Sequence, residues 1–391
     1  MPKTLVFCAD GTWNGPDDDD APRPLVQPDD LTSPVPEGPD EKERKQDGIT
    51  NVLKLYQALD GVPVGRDEPE ADEQEKVLTV DGVELQRARY IHGVGDAGGP
   101  ISTLFGGTFG AGIIKRIVRG YTFLSRHYEP GDAIVIIGFS RGAYTARALA
   151  GLVAGQGLLR KGLTQPKEAA YQAGAKAWYR HRQNRSQDVD WRARLAESLA
   201  HIGAFFDRDA LTDKDFVPVP SIRAVAVWDT VGSLGLPDYQ GQIRRDRYQF
   251  ADNALSPKVE HGLHAVARGE RRVDFTPTLW DASHPNIRQL QFAGAHADVG
   301  GGYPAGEESG LSNIALNWMA GELRALGVSI ADDLAQCHPG NPLGPAHQPW
   351  KAPMFRFSSK ADRPLDAVGV ARHPSVEARH VALAGQPEPL A

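Results

Sequence analysis

Ala133-Ile134-Val135-Ile136-Ile137-Gly138-Phe139-Ser140-Arg141-Gly142-Ala143-Tyr144 is the stretch that decides the fold of this chain. A short apolar, β-branched run passes through Gly-x-Ser-x-Gly into the helix-forming sequence Ala143-Tyr144-Thr145-Ala146-Arg147-Ala148-Leu149-Ala150. Strand, tight turn and helix in that order describe a nucleophile elbow, which lifts Ser140 to the edge of a sheet. The turn is tight enough that backbone approaches neighbouring chain, so glycine is needed on both sides of the serine. The helix that follows aims its first N–H groups at the site. The chain holds 42 glycines, so the bare motif carries little weight and its flanks carry the assignment.

An elbow serine needs a base and an orienting acid, and in α/β-hydrolases the order along the chain is Ser, Asp/Glu, His. Both partners belong just past the carboxyl ends of strands. Ile222-Arg223-Ala224-Val225-Ala226-Val227-Trp228 reads as a buried strand that ends in Asp229 and turns at Thr230-Val231-Gly232-Ser233. Ile287 to Ala293 alternates like a strand, and Gly294-Ala295-His296-Ala297-Asp298-Val299-Gly300-Gly301-Gly302-Tyr303 follows it as a loop. Asp229 and His296 therefore stand in the required order at the required edge. A serine hydroxyl is a weak nucleophile at neutral pH and needs an adjacent base. Histidine titrates near neutrality, so it can take that proton and return it to a leaving group. A buried carboxylate fixes the ring tautomer and stabilises the imidazolium. Asp298, two residues from His296, is an alternative acid, but so near along the loop it is better placed to hold the loop than to reach the far side of the ring.

The amino-terminal stretch supplies the rest of the expected site. Thr4-Leu5-Val6-Phe7-Cys8-Ala9 is a short apolar strand, and Asp10-Gly11-Thr12-Trp13-Asn14 turns sharply out of it. One oxyanion-hole N–H normally belongs to the residue after the nucleophile, here Arg141, and the second to a loop after an early strand. Gly11 and Thr12 are the expected second donors. Asp10 either pairs with Arg141 and joins the two loops or closes a plain Asx-turn.

These stretches together resemble one family, the catalytic domain of the type VI secretion phospholipase effectors. The resemblance rests on Cys8 to Asn14, Gly138 to Arg147, Val227 to Ser233 and His296 to Tyr303. Glu270-Arg271-Arg272 with Phe275 and Trp280, and Leu311-Ser312-Asn313-Ile314-Ala315-Leu316-Asn317-Trp318-Met319, are similar to it as well, so about residues 1 to 320 are covered. It implies an α/β-hydrolase-like fold, a mostly parallel central sheet with helices on both faces and inserted loops. It implies a Ser140-Asp229-His296 triad and hydrolysis of a lipid or small ester, a phospholipid first. No cofactor or metal is expected. Export by a contractile injection machine, a secretion-machine or immunity partner, and peripheral membrane contact are further implications.

Composition agrees with a globular enzyme. The 391 residues suffice for one large or two ordinary domains, with 41% hydrophobic and 24% charged residues. A net charge of −7 gives no support for nucleic-acid binding. Cys8 and Cys337 can form at most one bridge, so there is no disulfide framework. Met1-Pro2-Lys3-Thr4 leads into a strand without the features of a secretory signal, which points to cytoplasmic synthesis. A catalytic domain is expected over 1–330, with a loop rich in Pro and Asp at 15–48, including Asp17-Asp18-Asp19-Asp20, and a helical cap at 160–215. Helical patterns at Gln165 to Arg182 and Glu197 to Phe206 carry that cap. Residues 331–391, with Pro339, Pro342, Pro345, Pro349 and Pro353, are expected to pack on the surface. Phe105 and Phe109, in the glycine-rich segment from Gly98 to Gly112, could form an apolar lip for an acyl chain or pack in the core.

Two rival functions remain. Cys8-Ala9-Asp10-Gly11-Thr12 is similar to the Asp-x-Asp-Gly-Thr signature of haloacid-dehalogenase-type phosphatases, but Cys8 stands in the nucleophile's place. A silent hydrolase fold used for binding has no missing triad member to argue for it. His92, His261, His264 and His284 stand alone and read as structural or exposed; Arg141 and Arg147 could face an anionic phosphate or pair with acidic residues, and the structural role is favoured for Arg147.

Overall fold

The computed structural model describes residues 2–11, 48–65, 73–92, 108–185, 211–231, 254–281, 284–352, 355 and 359–384. Thr12, Phe105, the helical pattern from Glu197 to Phe206 and the 15–48 loop apart from Gly48 lie outside them.

The chain opens with β1 (Thr4–Ala9), α1 (Asn51–Ala58), β2 (Val62–Pro63) and the hairpin β3 (Glu73–Val80) and β4 (Val83–Ile91). Next come α2 (Thr108–His127), β5 (Ala133–Phe139), α3 (Arg141–Gln156), β6 (Leu158–Leu159), α4 (Lys167–Arg185), β7 (Phe216–Val217) and β8 (Ile222–Trp228). The remainder holds β9 (Val259–Ala267), β10 (Ile287–Phe292), α5 (His296–Gly300), α6 (Gly310–Ala325), α7 (Leu334–Cys337), β11 (Ala371–Arg372) and α8 (Pro374–Ala384).

Among the described residues, nine strands form one sheet in the order β11-β10-β9-β8-β5-β1-β4-β3-β2. All neighbours from β4 to β11 run parallel, and β2 and β3 are antiparallel additions at one edge. This is the large, mostly parallel sheet of an α/β-hydrolase-like fold. The hairpin turns on Asp81 and Gly82, both at positive φ (50° and 76°), which matches the twist of paired strands. Glu73 and Glu75 of β3 pair with Arg89 of β4 at 3.4 and 3.1 Å, so opposite charges meet across the hairpin.

The strand sequences explain the layers. In β1, Leu5, Phe7 and Ala9 point into one core and Val6 and Cys8 into the other, because side chains alternate across a strand. The first core is closed by α2, α3 and α4 through Ile114, Ile117, Tyr121, Leu149 and Trp178. The second is closed by α1 and α6 through Leu55, Tyr56, Leu316 and Met319. Burying each such large side chain is worth about 1.5–3 kcal/mol, and both faces of the central strands are covered, as parallel sheets require. Within the 160–215 region, α4 belongs to this helical layer, with Trp178 fully buried. α2 begins at Thr108, so Phe109 sits on helical backbone rather than on a glycine-rich loop.

The order of strands reverses at β1, with β4 on one side and β5 on the other. Open α/β sheets place their sites at the carboxyl ends beside such a switch point. Asp10, Ser140 and Asp229 follow directly on β1, β5 and β8 at that edge. The carboxy-terminal segment also takes part in the sheet: β11 extends it beside β10, and Leu365 and Val370 bury against Val266.

Candidate active site

Ser140 sits at φ 56° and ψ −121°, a backbone conformation that L-residues rarely adopt. Its N–H donates to the Trp228 carbonyl at 3.1 Å, which ties the elbow to β8. The two flanking glycines are there for space. A Cβ on Gly138 would lie 2.4 Å from the Gly142 carbonyl oxygen, and one on Gly142 would lie 2.0 Å from the Ala9 carbonyl oxygen. The serine is thus held where β5 ends, against the end of β1.

The structure brings the three sequence-derived residues into one hydrogen-bonded chain. Ser140 Oγ lies 2.8 Å from His296 Nε2, and His296 Nδ1 lies 2.6 Å from Asp229 Oδ2. Since a carboxylate can only accept, Nδ1 carries the proton and Nε2 is left to accept from the serine hydroxyl. Asp229 follows β8 at φ 34° and is fully buried. Its Oδ1 accepts from the Ala267 N–H at 2.9 Å. The imidazole of His296 lies between Phe139 and Phe275, whose ring centroids are 4.6 and 5.0 Å away.

Burial alone would raise the Asp229 carboxyl, but the Arg363 guanidinium and the His296 hydrogen bond outweigh it and hold it well below the usual carboxylate range. Burial lowers His296 below the ordinary imidazole value, against the opposing bond and charge of Asp229. The ring is therefore neutral at physiological pH and able to accept a proton.

A second layer holds these residues. Glu270 Oε2 accepts the His296 N–H at 3.2 Å, and the same carboxylate takes a two-pronged pair from Arg272, at 2.9 and 2.8 Å. The Arg272 guanidinium lies over Phe275, 3.6 Å from its centroid, so the Glu270-Arg272-Phe275 group supports His296 from its backbone and its ring. His264 Nε2 accepts the Thr230 N–H at 3.1 Å, and Nδ1 donates to Gln289 Oε1 at 2.8 Å. It fixes the turn after Asp229, and burial lowers its pKa to about 3.

Asp298 is not a partner of His296. Its Oδ2 accepts the Ala295 N–H at 2.7 Å, and its Oδ1 faces His347 Nδ1 at 2.5 Å. It holds the loop that carries the histidine.

The amino-terminal residues differ from expectation. Asp10 is buried, and its carboxylate goes to Gly11, Thr50 and Tyr90 rather than to Arg141. Oδ1 accepts the Gly11 N–H at 2.6 Å, and Oδ2 accepts Thr50 Oγ1 at 2.7 Å and Tyr90 Oη at 2.6 Å. Burial raises the Asp10 carboxyl, against the pull of these bonds. Gly11 abuts the serine, since a Cβ there would lie 3.3 Å from Ser140 Cβ, yet its N–H is engaged by Asp10. Arg141 opens α3 directly after the serine, in the first turn, whose N–H groups the helix's own carbonyls cannot reach. Thr12 lies outside the described residues. Cys8, in the phosphatase nucleophile's place, is fully buried, and burial pushes its thiol far above the ordinary range. Arg147 is buried, with its guanidinium 4.8 Å from the Trp280 ring centroid and donating to the Thr278 carbonyl.

The residue that sequence reading missed is Arg363, which reaches Asp229 across 134 positions. Nothing in Asp362-Arg363-Pro364 marks it.

Comparison with known proteins places the chain among relatives. The uncharacterized protein YEL023C of Saccharomyces cerevisiae is 30% identical over 240 residues, which is 58% of this chain and 29% of that protein. An uncharacterized protein from Pseudomonas aeruginosa has a solved structure similar at TM-score 0.44 and 16% identity, over all of this chain and 52% of that one. A solved Tle1 effector bound to the VgrG spike from the type 6 secretion system is similar at TM-score 0.35 and 18% identity, over 78% of this chain and 52% of that one. The chain thus spans about half the length of these solved relatives. The family model described as T6SS, phospholipase effector Tle1-like, catalytic domain matches residues 3–322, and the chain belongs to that family of phospholipase effector domains.

Proposed function

We propose that this chain is a serine ester hydrolase of the phospholipase type, acting through an acyl-enzyme on Ser140. The observation that carries the reading is the continuous chain Ser140 Oγ, His296 Nε2, His296 Nδ1, Asp229 Oδ2 at 2.8 and 2.6 Å. Ser140 Oγ attacks the ester carbonyl carbon while His296 Nε2 takes the hydroxyl proton. Asp229 stabilises the imidazolium that forms. The carbonyl oxygen becomes an oxyanion, for which the Arg141 N–H at the start of α3 is the proposed donor, with Thr12 as a second. The tetrahedral intermediate collapses, the C–O bond to the alcohol breaks, and His296 returns the proton to the departing oxygen. Water then repeats the sequence on the acyl-enzyme, releasing the acid and restoring Ser140.

Family membership supports a lipid ester as substrate, with delivery by a secretion machine and an immunity partner as companion readings. Among the described residues no helix is long and apolar enough to cross a membrane; peripheral contact with a bilayer belongs to the same reading. The test is release of fatty acid from phosphatidylethanolamine and phosphatidylglycerol vesicles, beside hydrolysis of short p-nitrophenyl esters, by the wild type and Ser140→Ala. The variant should lose roughly 10⁶-fold in turnover with unchanged circular dichroism. Turnover near the wild-type rate would remove Ser140 from the mechanism. Activity on acetate or butyrate esters with none on either lipid would leave an esterase and sink the phospholipase.

A further inference from the structure

Arg363 lies beyond the region that matches the family, in a stretch of polar sequence, yet its side chain is as buried as the site it serves, 5% exposed beside an Asp229 side chain at 0%. Its guanidinium is fully engaged at the two Nη atoms. Nη1 donates to Asp229 Oδ1 at 2.7 Å and to the Ala267 carbonyl at 2.6 Å. Nη2 donates to Asp229 Oδ2 at 3.1 Å and to the Phe275 carbonyl. The fork therefore spans both oxygens of the acid and also the carbonyls of β9 and of the turn that carries Phe275, the ring packed on His296. A lysine could not do this, since it offers one point charge in place of a planar pair of donors.

The backbone that delivers Arg363 is pinned on both sides. Before it, the Val273 N–H donates to the Ser359 carbonyl at 3.0 Å and the Ala361 N–H to the Arg271 carbonyl at 2.9 Å. After it, Leu365 buries against Val266, and Asp366 meets Gln291 and Arg268 at 2.8 and 2.9 Å. The segment is thus built into the back of the site and does not merely lie across it.

We propose that Arg363 is a positioning residue for the acid of the triad: the carboxy-terminal segment delivers a two-pronged guanidinium that fixes the rotation of the Asp229 carboxylate, so that Oδ2 faces His296 Nδ1. The inference rests on the serine-hydrolase reading. Its chemical consequence is specific. The positive charge offsets part of the Asp229 charge that His296 feels. Among the described residues, Asp229, Arg363, Glu270 and Arg272 are the charged groups that act on that ring or on its partner. Removing Arg363 leaves Asp229 less neutralised and less firmly oriented, so His296 binds a proton more readily and orients less well.

The test compares wild type, Arg363→Gln and Arg363→Lys in the full chain on a soluble ester, with rates referred to the folded fraction from near-UV circular dichroism. Arg363→Gln should lose about 10- to 100-fold in kcat, the usual effect of removing a group that orients a reacting residue from behind, with little change in KM. The acid limb of its kcat/KM profile should move up by about one pH unit. Arg363→Lys should keep the wild-type acid limb while losing kcat, because charge is retained and the fork is not. If Arg363→Gln does not fold, the kcat loss of folded Arg363→Lys decides the matter. A kcat within about twofold of wild type in folded variants, with an unmoved acid limb, would make Arg363 a structural staple and overturn the inference while leaving the hydrolase standing. A folded wild type that neither hydrolyses esters nor reacts with a fluorophosphonate at Ser140 would overturn both.

Discussion

Asp229→Asn isolates side-chain chemistry better than any other change in this site. Asparagine tolerates positive φ as readily as aspartate, so the 34° at this position is no obstacle. What changes is the number of acceptors. The carboxylate receives His296 Nδ1, the Ala267 N–H and both Nη atoms of Arg363. An amide has one oxygen for these four donors. With that oxygen toward Ala267 and Arg363 Nη1, the NH₂ faces His296 Nδ1 and forces the proton to Nε2, which can then no longer accept from Ser140. With the oxygen toward His296, the NH₂ meets the Ala267 N–H and Arg363. The first arrangement satisfies more donors, so the wrong tautomer should dominate. The serine-protease precedent for that outcome is a loss of about 10⁴ in kcat, or about 5 kcal/mol of barrier. Arg363 also loses its countercharge, so stability should fall by about 3–5 kcal/mol, the usual cost of breaking a buried pair. The assay is kcat/KM on a soluble ester beside urea unfolding, with Asp298→Asn as the comparison. A loss under tenfold for Asp229→Asn, or a larger one for Asp298→Asn, would refute the assignment of the acid.

Other expectations follow from the same geometry. Gly142→Ala places a Cβ 2.0 Å from the Ala9 carbonyl oxygen; backbone must move, so stability should drop by about 1–3 kcal/mol and esterase activity with it, and unchanged melting would contradict the tight elbow. In the proposed mechanism His296 is the base in its neutral form, and burial lowers it below the ordinary imidazole value of about 6.5; kcat/KM should fall with acid only below that pH, and an acid limb centred above pH 7 would contradict the buried neutral ring. His264 is held neutral to about pH 3, so between pH 6.5 and that value the unfolded chain binds the extra proton and stability declines as pH falls; denaturant unfolding at pH 7 and pH 5 should show the decline, and His264→Gln should flatten it. Tyr90→Phe removes one of two hydroxyls bonded to Asp10 Oδ2; stability should fall by about 1–3 kcal/mol, and a neutral result would mean that Thr50 and the Gly11 N–H suffice to hold Asp10.

Local order along the chain was enough to place Ser140, Asp229 and His296 at one edge of the sheet. An apolar run followed by a tight turn is a strand end, and strand ends in parallel sheets converge on one edge, so three such ends in the right sequence order predict one cluster. The buried sheet itself was legible for the same reason, since β1, β5 and β8 are continuous apolar runs that only a doubly covered sheet accommodates. The partners of Asp10 were not legible, because Thr50 and Tyr90 meet it only after α1 and β4 are packed on either side of β1. Nor was Arg363. A guanidinium carries no periodic signal, and its reach to Asp229 is set by where the last segment crosses the turn at Arg271 to Val273. Sequence determines which residues end strands and so which chemistry gathers at the sheet's edge. Tertiary packing alone decides which distant charge stands behind that chemistry, because burying a carboxylate requires a partner, and the partner can arrive from any segment that the fold brings within about 3 Å.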